Sequence, residues 1–368
     1  MPLPEASQSK TQAPQHSDDQ KSQSLRHGVE WLVQQQAADG GWHSATYGQM
    51  QGGVGNTALV VYALAQLPDS LQSSVQKPLS RGIDFLVANL EAPAEERLRA
   101  SADYPTYAMA LLLSAMHRLE DRGWPEQRSR LRDELIAAQQ RQKQGWTEDD
   151  SGFGGWNQTG GGIGDARRSG NTNISVTCSA LQALGATGTL NDDATSAALK
   201  FLARCQNLGA TTTNDGGFFF TPAADDPLNK AGTIETAGES VRARSYGTTT
   251  ADGLCALVAS GVPKDDPRVR AALAWFDRHD SIDIVPGFSA DESHGSSAAE
   301  GLKFYYYAAL ARVARECPDA MTSERRSKLL AAIVEQQRPD GSWRNACTLM
   351  REDDPLIATA LAVAAMSP

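Results

Sequence analysis

Asp252 sits inside TTTADGLCALVASG, a run otherwise made of Thr, Ala, Leu, Gly and one Cys. A carboxylate in such a helix either faces a polar cavity or is paired, because an isolated charge is not left in an apolar interior. Cys255 follows three residues later and shares that helix face. Glu352, Asp353 and Asp354 cluster where the apolar run DPLIATALAVAAM starts. Clustered carboxylates with hydrogen-bond support supply a strong acid. The structural alternative has Asp353 capping the helix and Asp354 favouring its positive end, with Pro355 in the first turn.

Aromatic residues gather near the same places. Tyr104 and Tyr107, Phe218 to Phe220, Tyr246, and Phe304 to Tyr307 lie at loop ends or on apolar helices. Their faces could line an apolar pocket and stabilise a carbocation by cation–π contact. Tyr246, Tyr305, Tyr306, Tyr104, Tyr107 and Phe219 are the candidates for that lining. Three consecutive tyrosines cannot all face one way on a helix, so at most two of Tyr305, Tyr306 and Tyr307 do so. An aromatic content of 7% is low for a cation-guiding cavity, and core packing is the competing reading.

The elements that must hold these residues recur along the chain. The stretch from Gly28 to Leu67 reads as a helix (GVEWLVQQQ), a turn (ADGGW), a glycine-rich loop and an apolar helix (NTALVVYALAQL) with Asn56 as its cap. Five further pairs follow, at 80–90 with 104–119, 130–142 with 171–185, 194–207 with 248–261, 266–279 with 301–314, and 325–337 with 354–366. In each, the first helix is amphipathic and charged, and the second is Ala-rich and apolar nearly all round. An outer and an inner ring follow from that contrast. Six such pairs closing head to tail make an all-α (α/α)6 toroid whose inner helices frame a central cavity. The expected organisation is a disordered polar leader over residues 1–24 and a single toroid domain over 25–368.

Composition excludes several classes. The 368 residues carry a formal net charge of −10 and no basic stripe, which argues against a nucleic-acid partner. The five cysteines lie far apart without CxxC spacing, so free thiols are expected rather than a disulfide framework or zinc cluster. No run reaches the roughly 20 apolar residues of a membrane span, which leaves only peripheral membrane contact. The expected compartment is the cytoplasm, and oligomeric state is open. No cofactor motif is found, neither Walker loop nor GxSxG nor HExxH. The glycine-rich GGWNQTGGGIGDARRSG holds Arg167 and Arg168, which could meet a diphosphate, but it reads more simply as a solvated loop.

QQQAADGGW, CQNLGATTTNDGGFF and QQRPDGSW resemble the prenyltransferase and squalene-oxidase repeat, the QW-type motif of squalene–hopene and oxidosqualene cyclases and of protein prenyltransferase β subunits. The likeness extends from Leu25 to Pro368. It is strongest from Phe201 to Tyr307, where the chain is similar to bacterial single-toroid proteins of squalene-cyclase-like type. The resemblance implies a terpene cyclase-like enzyme, an isomerase or transferase, that acts on an isoprenoid-type apolar substrate in the central cavity. Acid-initiated cyclisation would then fall to Asp252, Glu352, Asp353 or Asp354. The cyclases' DxDDT acid has its counterpart in GVGNTALVVYAL, where Thr57 matches but Gly53, Gly55 and Asn56 occupy the acidic positions. Prenyltransferase zinc would need a DxC pair and a His. Asp252, Cys255 and His294 approach that set with DxxC spacing. The alternative function is a non-catalytic toroid that binds an apolar ligand or a protein partner.

Overall fold

The computed structural model describes residues 13–90, 104–119, 122–158, 172–209, 214–222, 228–235, 241–289 and 293–368. Among them the outer helices are α1 (Ala13–Gln34), α3 (Asp69–Leu90), α5 (Pro125–Ala138), α7 (Asp192–Cys205), α9 (Pro267–Arg278) and α12 (Ser323–Glu335). The inner helices are α2 (Val54–Ala65), α4 (Pro105–Arg118), α6 (Ile174–Ala186), α8 (Gly247–Ala259), α11 (Lys303–Glu316) and α13 (Pro355–Met366). A short helix, α10 (Ser293–Gly301), precedes α11, and a two-stranded ribbon pairs Thr233 with Ala243 and Ile234 with Arg242.

Each inner helix packs on the next, in the order α2, α4, α6, α8, α11, α13 and back to α2. The ring is therefore closed, and the toroid expected from the periodicity is the observed architecture. Because every inner helix is followed by an outer one running back, all six inner N-termini gather at one end. Backbone bonds between neighbouring loops record this, as where Ile174 N donates to Phe220 O and Gly247 N to Pro286 O. The apolar inner helices bury most of their residues, while α7 and α9 bury only a stripe.

The repeated turn residues are the joints of this ring. Gln36 Nε2 donates to Gly40 O of its own turn and to Pro78 O of the next outer helix. Gln139 does the same to Gly154 O and Ala194 O, and Gln206 to Gly216 O and Arg268 O. Gln337 reaches Gly341 O and Ser24 O, tying the last outer helix to the first. The indole N–H of Trp42, Trp156 and Trp343 donates to Leu32 O, Leu135 O and Ile333 O of the preceding helix, each at 2.7 Å. Their backbone N–H groups donate to Thr57, Thr177 and Thr359 of the following inner helix. Thr57 is thus one of a repeated set of structural hydroxyls, which accounts for its match to the cyclase pattern. Trp42 and Trp343 stand against Gly82 and Gly28, where a Cβ would come within 2.8 and 2.6 Å of the ring.

Two local expectations are corrected. Helix α1 starts at Ala13, so the second half of the polar leader is helical. Ser24 and Leu25 are already buried, and once that docked turn exists, upstream residues add at little cost. Asn56 is not the cap of α2, because the helix starts two residues earlier after Gly53, whose left-handed φ of 81° turns the chain.

Candidate functional site

The inner ring encloses a cavity of about 260 Å³. Its apolar wall is Met50, Leu59, Leu111, Met350, Ile357 and Leu361, and its aromatic wall is Tyr62, Tyr104, Tyr107 and Tyr305. Asn56, Ser179, Arg312, Arg315 and Arg351 supply the polar side chains. Among the described residues no carboxylate lines it. Depressions of about 560 and 460 Å³ lie along single outer helices, α5 and α7, and enclose nothing.

Asp252 is fully buried behind that wall and does not line the cavity. Its Oδ2 accepts from Ser175 Oγ (2.5 Å) and Tyr305 OH (2.9 Å), and its Oδ1 pairs with Arg312 Nη2 at 2.6 Å. Ser175 belongs to α6 and both Tyr305 and Arg312 to α11, so three inner helices meet at the one carboxylate of α8. Burial raises the Asp252 carboxyl, and the Arg312 charge and the three donors oppose it. Burial likewise pushes the phenols of Tyr107 and Tyr305 upward. Of the two roles open to Asp252 in the sequence, the paired one is observed. Its partners Tyr305 and Arg312 face the cavity in its place.

Glu352, Asp353 and Asp354 also lie off the cavity wall, each with an assigned bond. Asp354, not Asp353, is the cap of α13: its Oδ1 accepts from Leu356 N at 2.9 Å, while Ser44 Oγ donates to Oδ2. Asp353 accepts from Tyr47 OH at 2.5 Å. Glu352 accepts from Phe304 N (2.9 Å), Tyr305 N (2.8 Å) and Asn345 Nδ2 (2.9 Å) and so caps the neighbouring helix α11. Burial pushes its carboxyl up to about 7.

Of the six aromatic candidates, Tyr104, Tyr107 and Tyr305 line the cavity and the others do not. Tyr306 points away and donates to Ser281 O at 3.0 Å, and Tyr307 OH accepts from Gln336, so only Tyr305 of that triplet faces inward. Tyr246 packs on Phe288 with ring centroids 4.9 Å apart, and Phe219 is buried. Tyr306 lies on α11, where the sequence does not declare which arc faces the ring's centre, whereas Tyr246 precedes α8 and Phe219 lies in a loop.

The metal alternative loses its first ligand, because Arg312 occupies the Asp252 carboxylate. Burial pushes the Cys255 thiol up to about 12, away from the thiolate that binds zinc. The side chain of His294, like Arg167 and Arg168, lies outside the described residues. Among those described, no group of three His, Cys, Asp or Glu is placed to hold a metal. Cys178, Cys205, Cys255 and Cys317 are free and buried, and Cys347 is free and half-buried. No described helix is long and apolar enough to cross a membrane.

Sequence reasoning passed over Asn56 as a wall residue and over Arg312, Arg315 and Arg351. The signal for two of them was present. Arg312 and Arg315 interrupt the apolar run YYYAALARVARE, and the argument applied to Asp252 applies equally to them.

The sequence pattern described as the prenyltransferase alpha-alpha toroid domain matches residues 78–298 and 177–367. Among curated proteins none matches this sequence. The fold is similar to that of the type II terpene cyclase MstE from Scytonema in its apo form, with 17% identity, coverage of 95% of this chain and 97% of that one, and a TM-score of 0.56. A variant of the same cyclase in complex with geranylgeranyl dihydroxybenzoate, its substrate, matches at 15% identity, 96% and 97% coverage, and a TM-score of 0.57. The GH76A alpha-1,6-mannanase from Salegentibacter sp. HEL1_6 matches at 13% identity, 94% and 98% coverage, and a TM-score of 0.54. At such identities the likeness is one of fold, and the same toroid carries unrelated chemistries.

Proposed function

Because the chain belongs to the prenyltransferase alpha-alpha toroid family, we propose that its central cavity takes an isoprenoid-type molecule and that the protein acts on it as a terpene cyclase-like enzyme. The observation that carries this reading is the contact of a buried acid with the cavity wall through Tyr305, whose hydroxyl is 2.9 Å from Asp252 Oδ2. The wall itself is apolar and aromatic, as an isoprenoid chain requires.

The chemistry runs outward from Asp252. When the carboxyl is protonated, its O–H donates to Tyr305 and the phenol hydrogen is free to turn into the cavity, since a hydroxyl is both donor and acceptor. The proton delivered to a carbon–carbon double bond leaves a carbocation on the chain. Asp252 is then a carboxylate held by Arg312, and Tyr107 and Tyr305 present their rings to the cation. Burial favours the protonated carboxyl of Asp252, and the charge of Arg312 favours the carboxylate that remains once the proton has left.

The test is turnover of geranylgeranyl-type substrates in heavy water, read by mass spectrometry for deuterium in a cyclised product. Asp252→Asn and Tyr305→Phe should each abolish deuterium incorporation. Tyr305→Phe removes one hydroxyl and keeps the ion pair with Arg312, so it should stay folded. Full incorporation in Tyr305→Phe would remove the proposed route. A second reading, a binding toroid without catalysis, is favoured by the absence of any carboxylate on the wall among the described residues. Recovery of an isoprenoid bound and unchanged from active-temperature incubations would decide for it.

A further inference from the structure

We propose that the loop from Ser44 to Gly53 is a hinged lid on the cavity, latched shut by Tyr47 on Asp353, and that molecules enter and leave when it lifts. The proposal rests on the reading of the cavity as the ligand site and holds whatever chemistry that ligand has.

The loop is built as one body. Ser44 N donates to Met50 O at 3.3 Å, Met50 N to Tyr47 O at 2.9 Å, and Gly53 N to Met50 O at 3.2 Å, around a single 3-10 turn, Gly48–Met50. That is the make-up of an Ω-loop, compact with its ends close together. Its outer side, at Ala45, Thr46, Gly48 and Gln49, is exposed, whereas Met50 is buried on the cavity wall. The ring of His43 holds the base of the loop, with Nδ1 2.7 Å from Gln51 O and Nε2 3.1 Å from Asp39 Oδ2. Gly53, at a φ of 81°, lets the chain turn there, where a Cβ would come within 2.6 Å of His43 Nδ1. The hinge is at that glycine.

The stretch facing the lid, residues 345–354, is held differently. Asn345 Nδ2 donates to Glu300 O of α10, Glu352 accepts from Phe304 N and Tyr305 N of α11, and Asp354 caps α13. Three helices therefore fix it. The lid meets it through side chains. Tyr47 OH donates to Asp353 Oδ1 at 2.5 Å and Ser44 Oγ to Asp354 Oδ2. With the Gln49 amide turned so that donor meets acceptor, Gln49 Oε1 accepts from Arg351 Nη1 at 3.1 Å. Burial and the Asp353 carboxylate push the Tyr47 phenol up to about 12, so it keeps the proton it donates. A few side-chain bonds part more readily than a stretch anchored to three helices, so the lid is the side that moves.

The clasp also spans the mouth. The Arg351 guanidinium lies 5.6 Å from the ring centroids of both Tyr47 and Tyr104, and Tyr104 stands directly before α4. Since α13 and α4 flank α2 in the ring, this stack crosses in front of the N-terminus of α2. The cavity beneath, about 260 Å³, is smaller than the roughly 300–1,000 Å³ usual for small-molecule sites, as a shut state should be.

The experiment first reads opening without a ligand. Leu59, further down the wall on α2, is replaced by Cys in a Cys347→Ser background, and labelling by N-ethylmaleimide is timed. Tyr47→Phe removes the latch hydroxyl and keeps the ring beside Arg351. It should speed labelling about tenfold or more, the effect of losing one hydrogen bond to a charged group. Asp353→Ala should do the same, and the double variant should add little, because both remove one bond. Asp353→Asn retains an acceptor and should label slowly. Amide exchange should rise at Met50, Gln51 and Gly53 in Tyr47→Phe and stay unchanged at Asn345 and Asp354. Unchanged labelling in both Tyr47→Phe and Asp353→Ala overturns the lid, since the cavity is then reached by another route. Faster exchange on both sides of the clasp alike also overturns it. With geranylgeraniol as probe, Tyr47→Phe should raise association and dissociation rates together and keep Kd within about twofold. A faster dissociation alone would make Tyr47 a ligand contact and not a latch. If labelling is gated but geranylgeraniol does not bind, the lid stands and the isoprenoid reading falls.

Discussion

Glu352 carries the plainest consequence at the scale of single residues. Its carboxyl titrates near 7 in the folded chain against an ordinary value of 4.5, so between those values the folded state binds more protons than the unfolded one. Stability is therefore fully present below about pH 4.5 and declines as pH rises through about 7, by at most ~3 kcal/mol from this group. Denaturant titrations at pH 4.5, 6 and 8 should display that decline, and Glu352→Gln should flatten it. The same variant loses about 1–3 kcal/mol at low pH, because its amide NH2 meets an N–H donor of α11. Asp252→Asn should be costlier, about 3–5 kcal/mol, since it strips the buried Arg312 of its counter-charge. Measured unfolding free energies check the order, which reverses if Arg312 finds another partner. Asp252 was legible in the sequence as an anomaly, a charge in an apolar helix. Its partner was not, because Arg312 stands sixty residues further on and on the next inner helix.

At the scale of elements, the turns decide how outer helices sit on one another. Gly154 has a φ of 90°, and a Cβ there would overlap the carbonyl oxygen of Ala197 in α7. Gly154→Ala should thus be among the most damaging small substitutions, by more than ~2 kcal/mol, because strain at positive φ adds to a backbone overlap. Thermal unfolding measures it. The glutamines rank by burial. Gln139 is fully buried and Gln36 half-buried, so Gln139→Ala should cost more, about 1–3 kcal/mol, by leaving two carbonyls dry. The joints at Gln36 and Gln337 carry the QxxDGxW spacing in the sequence, whereas Gln139 and Gln206 stand many residues before their DGG or GFGGW turns. The actual bonds were not legible, since each glutamine reaches a carbonyl some 40 to 60 residues away in three of the four cases.

For the whole molecule, closure is the property that matters, because a cavity exists only if the ring shuts. Gln337 to Ser24 O and Trp343 against Gly28 make the seam between α12 and α1. Gln337→Ala should loosen that seam first, with faster amide exchange in α1 and a loss of about 1 kcal/mol, while the α6–α8 side stays protected. Uniform exchange around the ring would mean that the seam is no weaker than its neighbours.

The amino-acid sequence by itself determined the six helix pairs, the two rings, the closed toroid and the structural character of its turn motifs. Those features rest on local periodicity and on turn chemistry that each repeat carries within itself. Only the tertiary structure decided which side chains form the wall of the cavity. It hid Asp252 behind Tyr305 and Arg312, turned Tyr306 outward, spent Glu352 and Asp354 on helix caps, and left Asn56 and Arg351 facing inward. The physical reason is rotational. Successive residues on a helix are about 100° apart, so on a helix apolar all round a modest turn exchanges wall for interface without changing the pattern. That rotation is fixed by contacts between inner helices far apart along the chain.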